Sequence, residues 1–551
     1  MTASSALPTT SLPDQQAATT EASHADPEMV LHRHESDASQ STISSTTTMA
    51  IASVSVLWRQ EETLSMPSPT YILISFFLMF TYTLLSVLSV QNFFGSVANL
   101  CSATLGAGIL ALPYAFYQAG LVGGVLLLLL SAWATSKSIA LLVQACDMHR
   151  LPTYEKIVEK VLGRRMRNVV EISILIFCCG TAVGYVIAVG DIMERVVYMT
   201  PSTKRIAMST IWVAAMLPLS CLKRMQSLQC ASSVGIASIF TLLVAAIVHL
   251  IHPQDDEDKS STPIESLIGP AGNSWLSIVQ ACPLFFFAFS CQVNVAQIYD
   301  ELPGPYGEDK IRKMGWVTWS AVAVCGLLYA GISIVTLFDF GDSVKPNILS
   351  CYDLSAAGEP LLHVAFLAMA LAVVMAFPLN IFPARVSIIQ MWEKEHHGEP
   401  LLCGENEEVK QPLLSKLENG CSVGYDSGGE TDRNGPEDPL RAPRVVPQVS
   451  SISDGDLAND SEEEPEFHLF QHASITLLLA GFALGLALIV PNISVVFGLL
   501  GGTTSSLLGF VIPGMLGLKV NRKCISAWIL VIAGSIIGIL TTVVTLYSTF
   551  H

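Results

Sequence analysis

Apolar residues in this chain gather in uninterrupted blocks, about 20 residues long, that recur between residues 92 and 548. That length lets an α-helix cross a hydrocarbon layer about 30 Å thick. In lipid only helices and closed barrels satisfy their own backbone, and the blocks show no alternation that would suit a barrel strand. Charged residues make up only 14% of the 551 residues, too few to cover a soluble fold of this size. An all-α polytopic membrane protein with about eleven transmembrane helices is therefore expected.

The expected spans are 92–117, 119–145, 168–192, 206–222, 227–251, 275–299, 315–338, 359–381, 468–490, 493–518 and 524–548. The first eight form a core over 92–391, and the last three close the chain over 468–551. Residues 1–70 are dominated by small polar side chains and are expected to be a disordered cytoplasmic tail. Segment 71–90 is apolar enough to span but breaks the charge phase described next, so its status stays open. Residues 392–467 hold much of the acid behind the net charge of -17, including Glu405, Glu407, Glu408, Glu462, Glu463 and Glu464. They read as a disordered cytoplasmic loop.

Loop charge sets the orientation. Arg150, Lys156, Lys160, Arg164, Arg165 and Arg167 crowd the second connection. Lys310, Arg312 and Lys313 follow the sixth span, and Lys519, Arg522 and Lys523 the tenth. The alternate connections are nearly free of base, so the basic loops and the start of the first span face the cytoplasm. Lys204 and Arg205 are the exception. Residues 151–163 are amphipathic and read equally as an interfacial helix or a solvated one.

The 13 cysteines show neither a metal spacing nor a disulfide framework, and most lie in apolar blocks. No basic stripe for nucleic acid is present. Neither GxSxG, HExxH, a P-loop nor paired intramembrane carboxylates occur, so an enzyme or an ATP-driven pump is not expected. No cofactor is expected either. Nothing in the sequence sets an oligomeric state.

The chemistry concentrates in the first span. Gly106, Gly108 and Pro113 fall within eight residues, beside Ser102, Thr104 and Ala107. Gly and Pro weaken a helix, and broken helices at membrane depth are tolerated where they line a polar cavity. Such a break exposes N–H groups that suit a carboxylate. Gly106 and Gly108 read equally as a close-packing face between helices. Asp191, Glu194, Glu171 and His249 stand at span ends, where headgroup depth explains them as well as function does. Tyr185 is mid-span, beside Gly180 and Gly184.

The strings GAGILALPYAF (106–116) and TYEKIVEKVLG (153–163) resemble the amino acid/auxin permease family. So do GYVIAVGDIM (184–193), PLSCLKRMQSLQCASSVGIAS (218–238), PLFFFAFSCQVNVAQIYDEL (283–302) and FPLNIFPAR (377–385). The resemblance covers 92–392 well and is looser over the last three spans. It implies a LeuT-like pair of inverted five-helix repeats plus an eleventh helix, with the first and sixth spans discontinuous. It also implies an amino acid as substrate and a vacuolar/lysosomal-type or plasma membrane as location. On the sixth span it adds Phe287, Ser290 and Asn294 to the candidate substrate-binding set of Ser102, Thr104, Gly106, Ala107, Gly108 and Tyr185. That span shows no Gly or Pro at the point where it would open, so this break rests on the resemblance.

Sodium-coupled relatives supply a hydroxyl from the eighth span, yet Ala370 to Phe377 carry none. A hard cation wants oxygen ligands, so proton coupling or uncoupled exchange is expected ahead of sodium. No acidic residue stands at mid-span, which favours neutral amino acids. Two readings remain open: a secondary carrier, and an amino-acid sensor built on a carrier fold.

Overall fold

The computed structural model describes residues 81, 93–196, 199–221, 229–251, 268–271, 274–352, 360–397, 466–490 and 492–550. The expected tail 1–70, segment 71–90 apart from Thr81, and loop residues 398–465 lie outside this set. The chain divides into two units, Met1–Leu78 and Met79–His551, and only the second contains described residues.

Every regular element among the described residues is helical. In chain order, α1 is Phe93–Thr104 and α2 is Gly108–His149. A short helix α3 (Tyr154–Leu162) precedes α4 (Arg164–Val196). Helix α5 (Pro201–Ile211) runs through a π-turn at Trp212–Met216 into Leu217–Ser220. Then come α6 (Gln229–Ile251), α7 (Trp275–Ala288), α8 (Gln292–Glu301), α9 (Glu308–Phe340) and α10 (Pro360–His397). Helix α11 is Glu466–Ala487. Helix α12 (Ile493–Leu500) continues through two π-turns into α13 (Ile512–Val520), and α14 (Ile525–Phe550) ends the fold.

Eight of these stretches are long and apolar enough to cross a membrane. The three other expected spans match shorter or interrupted helices. The first is split between α1 and the start of α2, the fourth carries the π-turn at Trp212–Met216, and the ninth is α11. The expected turn between the first two spans is a kink inside α2 at Gly120, whose φ is 73°. A Cβ there would collide with the Gly269 carbonyl, so only glycine serves.

The order repeats. An interrupted helix opens each set: α1 with the start of α2 in the first, α7 with α8 in the second. Leaving aside the short α3, four further helical stretches follow in each, and α14 closes the chain. This order matches that of a 5+5 inverted repeat, in which an odd number of crossings per set would turn the second set over relative to the first.

Helix α10 lies against α4 and α6, while α7 and α9 both lie against α2. The side chains between them form one apolar cluster that runs from Leu100 to Leu516. Leu126, Leu129, Leu327, Leu478 and Ile539 are instead exposed on outer faces, as helices surrounded by lipid require. Helix α3 is more than a solvated connector: Ile157 and Val158 are buried, and the Tyr154 hydroxyl donates to the Leu508 carbonyl at 2.8 Å. Ser138 donates to the neighbouring Gly509 carbonyl. Both acceptors belong to the π-turn Leu507–Val511, where the regular helical ladder is disturbed.

Candidate functional site: two helix breaks face to face

Helix α1 stops at Thr104 and α2 starts at Gly108, so the first span is interrupted where the glycines predict. Helix α7 stops at Ala288 and α8 starts at Gln292, which opens the sixth span at Phe289–Cys291. The residues of that second break gave no such signal. Pro283, inside α7, and the polar residues Ser290, Gln292 and Asn294 are the nearest clues.

The two breaks touch. A Cβ on Gly108 would lie 2.8 Å from the Ala288 Cα, so the start of α2 packs directly on the end of α7. A Cβ on Gly106 would meet only the Tyr185 hydroxyl, at 3.8 Å. The close-packing reading thus fits Gly108, and the open-backbone reading fits Gly106. Neighbouring amides are used unevenly. The Gly106 N–H turns back to the Thr104 carbonyl at 2.8 Å, and the Ala107 backbone faces the Tyr185 hydroxyl. Gly108 and Ile109 open α2 and have no preceding helical turn to accept their N–H groups.

Tyr185 comes from α4 and is buried near the Asn380 side chain of α10, whose amide donates to the Ala376 carbonyl at 3.1 Å. Phe287 is buried and stacks on Phe497 of α12 at 4.2 Å between centroids, with Phe177 at 5.6 Å. Gly184 makes room for Phe497, and Gly180 for Leu500. These glycines let α4 approach α12 closely. The Thr104 hydroxyl donates back to the Leu100 carbonyl at 2.8 Å, and Ser290 does the same to Phe286 at 2.8 Å. Ser102 is half-buried on α1. Asn294 is exposed in the first turn of α8, whereas Ala107, Gly108, Tyr185 and Phe287 are buried and Gly106 is half-buried.

Two residues that the sequence reading passed over belong here. Asn380 is a lone amide in an apolar span. Tyr329 of α9 is fully buried, and its hydroxyl lies 2.8 Å from the Thr104 carbonyl and 2.9 Å from the Ala288 carbonyl. A single phenol in an apolar block was the available signal, and nothing local distinguishes it from a core aromatic.

The ionisable residues at the span ends are paired, an arrangement that headgroup depth allows as well. Asp191 accepts from Lys204 and from Asn347, each at 2.7 Å, and Lys204 also reaches Glu194 at 2.7 Å. This gives a structural role to Lys204, one of the two basic exceptions in the loop pattern. At the same end of the bundle His249 Nδ1 lies 2.6 Å from the carboxylate of Asp339, between the rings of Phe340 and Tyr352. At the other end Glu171 pairs with Arg167 at 2.9 Å.

The chain matches the profile of the family described as "Transmembrane amino acid transporter protein" over residues 89–550, and it belongs to that family. It is similar to "Vacuolar amino acid transporter 6" of Saccharomyces cerevisiae, with 26% identity over 77% of this chain and 89% of that one. "Amino acid transporter AVT6E" of Arabidopsis thaliana is 24% identical over 83% and 84%. "Sodium-coupled neutral amino acid transporter 7" of Danio rerio is 24% identical over 59% and 69%. Among solved structures, that of a Na+-coupled sialic acid symporter aligns with a TM-score of 0.46 at 10% identity, over 86% of this chain and 97% of that one.

Proposed function

We propose that this chain is a secondary carrier of neutral amino acids that works by alternating access. The observation that carries the reading is the stacking of two interrupted helices at Gly108 and Ala288. Two half-helices then end, and two begin, within one buried junction. An amino acid is a dipolar ion. Its carboxylate suits the N–H groups at the start of α2, and its ammonium suits the carbonyl ends of α1 and α7. The described side chains around this junction include Tyr185, Phe287, Ser290, Thr104, Asn380 and Tyr329, none of them charged at neutral pH. A neutral substrate side chain fits such surroundings, because a charged one would be desolvated without a partner.

The substrate-binding set is Ser102, Thr104, Gly106, Ala107, Gly108, Tyr185, Phe287 and Ser290, with Asn380 added. Asn294 stays in the set only as a residue at the mouth of the α8 side. Coupling to protons, or exchange without an ion, is favoured over sodium because Ala370 to Phe377 offer no hydroxyl. In this reading the N-terminal tail and the acidic loop are cytoplasmic, which the excess of Lys and Arg in alternate connections supports. Uptake of labelled neutral amino acids into proteoliposomes tests the reading. The sensor alternative predicts saturable binding with no accumulation inside the vesicles.

A further inference from the structure

We infer that Tyr329 is a positioning residue that straps the two helix breaks into one unit. The functional consequence rests on the transport reading above, whereas the strap itself rests on geometry. The last residues of α1 and α7 are Thr104 and Ala288. Both carbonyls lie at helix C-termini, where aligned peptide dipoles leave partial negative charge. Two such ends held side by side repel one another, the more so where water is excluded. The Tyr329 hydroxyl bridges the two, at 2.8 Å from the Thr104 carbonyl, which also accepts from the Gly106 N–H, and 2.9 Å from the Ala288 carbonyl. One phenolic hydrogen serves both acceptors, so displacing either helix end costs the shared contact.

The surroundings hold the phenol in place. Its ring meets Phe289, the first residue of the second break, edge-on at 5.4 Å. One turn earlier on α9, the Cys325 thiol lies 4.0 Å from the Cys101 carbonyl, and the Cys101 thiol donates to the Ala321 carbonyl at 3.7 Å. Helix α9 is thus fastened along α1 up to the point where α1 ends. Gly108 against Ala288 closes the junction from the α2 side. A substrate that orders one break consequently orders the other, without a ligand having to span both.

Hydrogen exchange on the purified full-length chain tests this directly. In the wild-type protein the segments Thr104–Gly108 and Ala288–Gln292 are expected to show equal protection. Protection factors that differ by more than about tenfold would overturn the strap. Tyr329→Phe removes only the hydroxyl and is expected to raise exchange about tenfold in both segments together, the scale of one lost hydrogen bond, with α14 unchanged. Ser333→Ala, which deletes another buried hydroxyl one turn along the same helix, is expected to change neither break. Exchange raised in one segment alone, or raised throughout the fold, overturns the proposal. In transport, Tyr329→Phe is expected to raise KM by about tenfold. KM does not depend on how many carriers fold, so a loss confined to Vmax counts against the strap. A wild-type chain without uptake would defeat the transport reading and leave the exchange result to decide the strap.

Discussion

Gly108 stands against Ala288 so closely that a Cβ on the first would lie 2.8 Å from the Cα of the second, whereas a Cβ on Gly106, two residues earlier, would meet only the Tyr185 hydroxyl at 3.8 Å. The two glycines of one motif therefore do different work, and substitution separates them. Gly108→Val should cost about 1–3 kcal/mol or more through overpacking against backbone, and reduce the amount of folded protein. Gly106→Ala should leave melting temperature and expression near wild type while raising KM. Fluorescence size-exclusion and melting curves read the first effect, and uptake reads the second. Normal folding of Gly108→Val would show that α7 yields.

Asp191 and Lys204 supply the second prediction. Burial pulls the Lys204 ammonium down, but Asp191 and Glu194 outweigh it and hold its pKa above the ordinary lysine value. A raised folded-state pKa means the stabilisation is fully present below the unfolded lysine value. It is lost only as pH rises through the raised value, so it is constant across the neutral range. Lys204→Met should cost roughly 3 kcal/mol, because among the described residues Asp191 then keeps the Asn347 amide alone as a hydrogen-bond donor. Adding Asp191→Asn should recover part of the loss. Melting curves of the single and double variants check the sign.

The coupling ion gives the third. The Thr104 hydroxyl is turned back onto the Leu100 carbonyl, and Ala370 to Phe377 carry no hydroxyl to face it. Replacing sodium with choline should leave initial uptake within about twofold, while a pH gradient should change it severalfold. A steep sodium dependence would mean that other oxygens build a site.

Tyr185 gives the fourth. Its hydroxyl lies near the Ala107 backbone and the Asn380 side chain, where α4 and α10 approach the break in the first span. Tyr185→Phe and Asn380→Ala should each raise KM by about threefold to tenfold, the range expected for one neutral hydrogen bond. The double variant should cost less than the sum, because the two share one contact. Additive losses would place them in separate roles.

The helices were readable because lipid demands long apolar segments, and the first break was readable because Gly106, Gly108 and Pro113 weaken a helix in plain view. The second break was not, because Phe289, Ser290 and Cys291 have no intrinsic aversion to helix. They depart from it where Phe289 meets Tyr329 of α9 and the preceding Ala288 meets Gly108 of α2. Pairings such as His249 with Asp339 and Asp191 with Lys204 join residues 90 and 13 positions apart, beyond the reach of local pattern. Tyr329 was silent for the same reason: its partners are backbone carbonyls about 225 and 41 residues away, which no side-chain pattern encodes.

The central claim is that this junction moves amino acids rather than merely binding them. The purified full-length chain, reconstituted into liposomes preloaded with an unlabelled neutral amino acid, should accumulate the labelled form by counterflow. The accumulation should saturate and should fall when Gly106 is replaced. Saturable binding of the same amino acid with no counterflow, under any imposed pH or sodium gradient, would contradict the carrier account and favour the sensor.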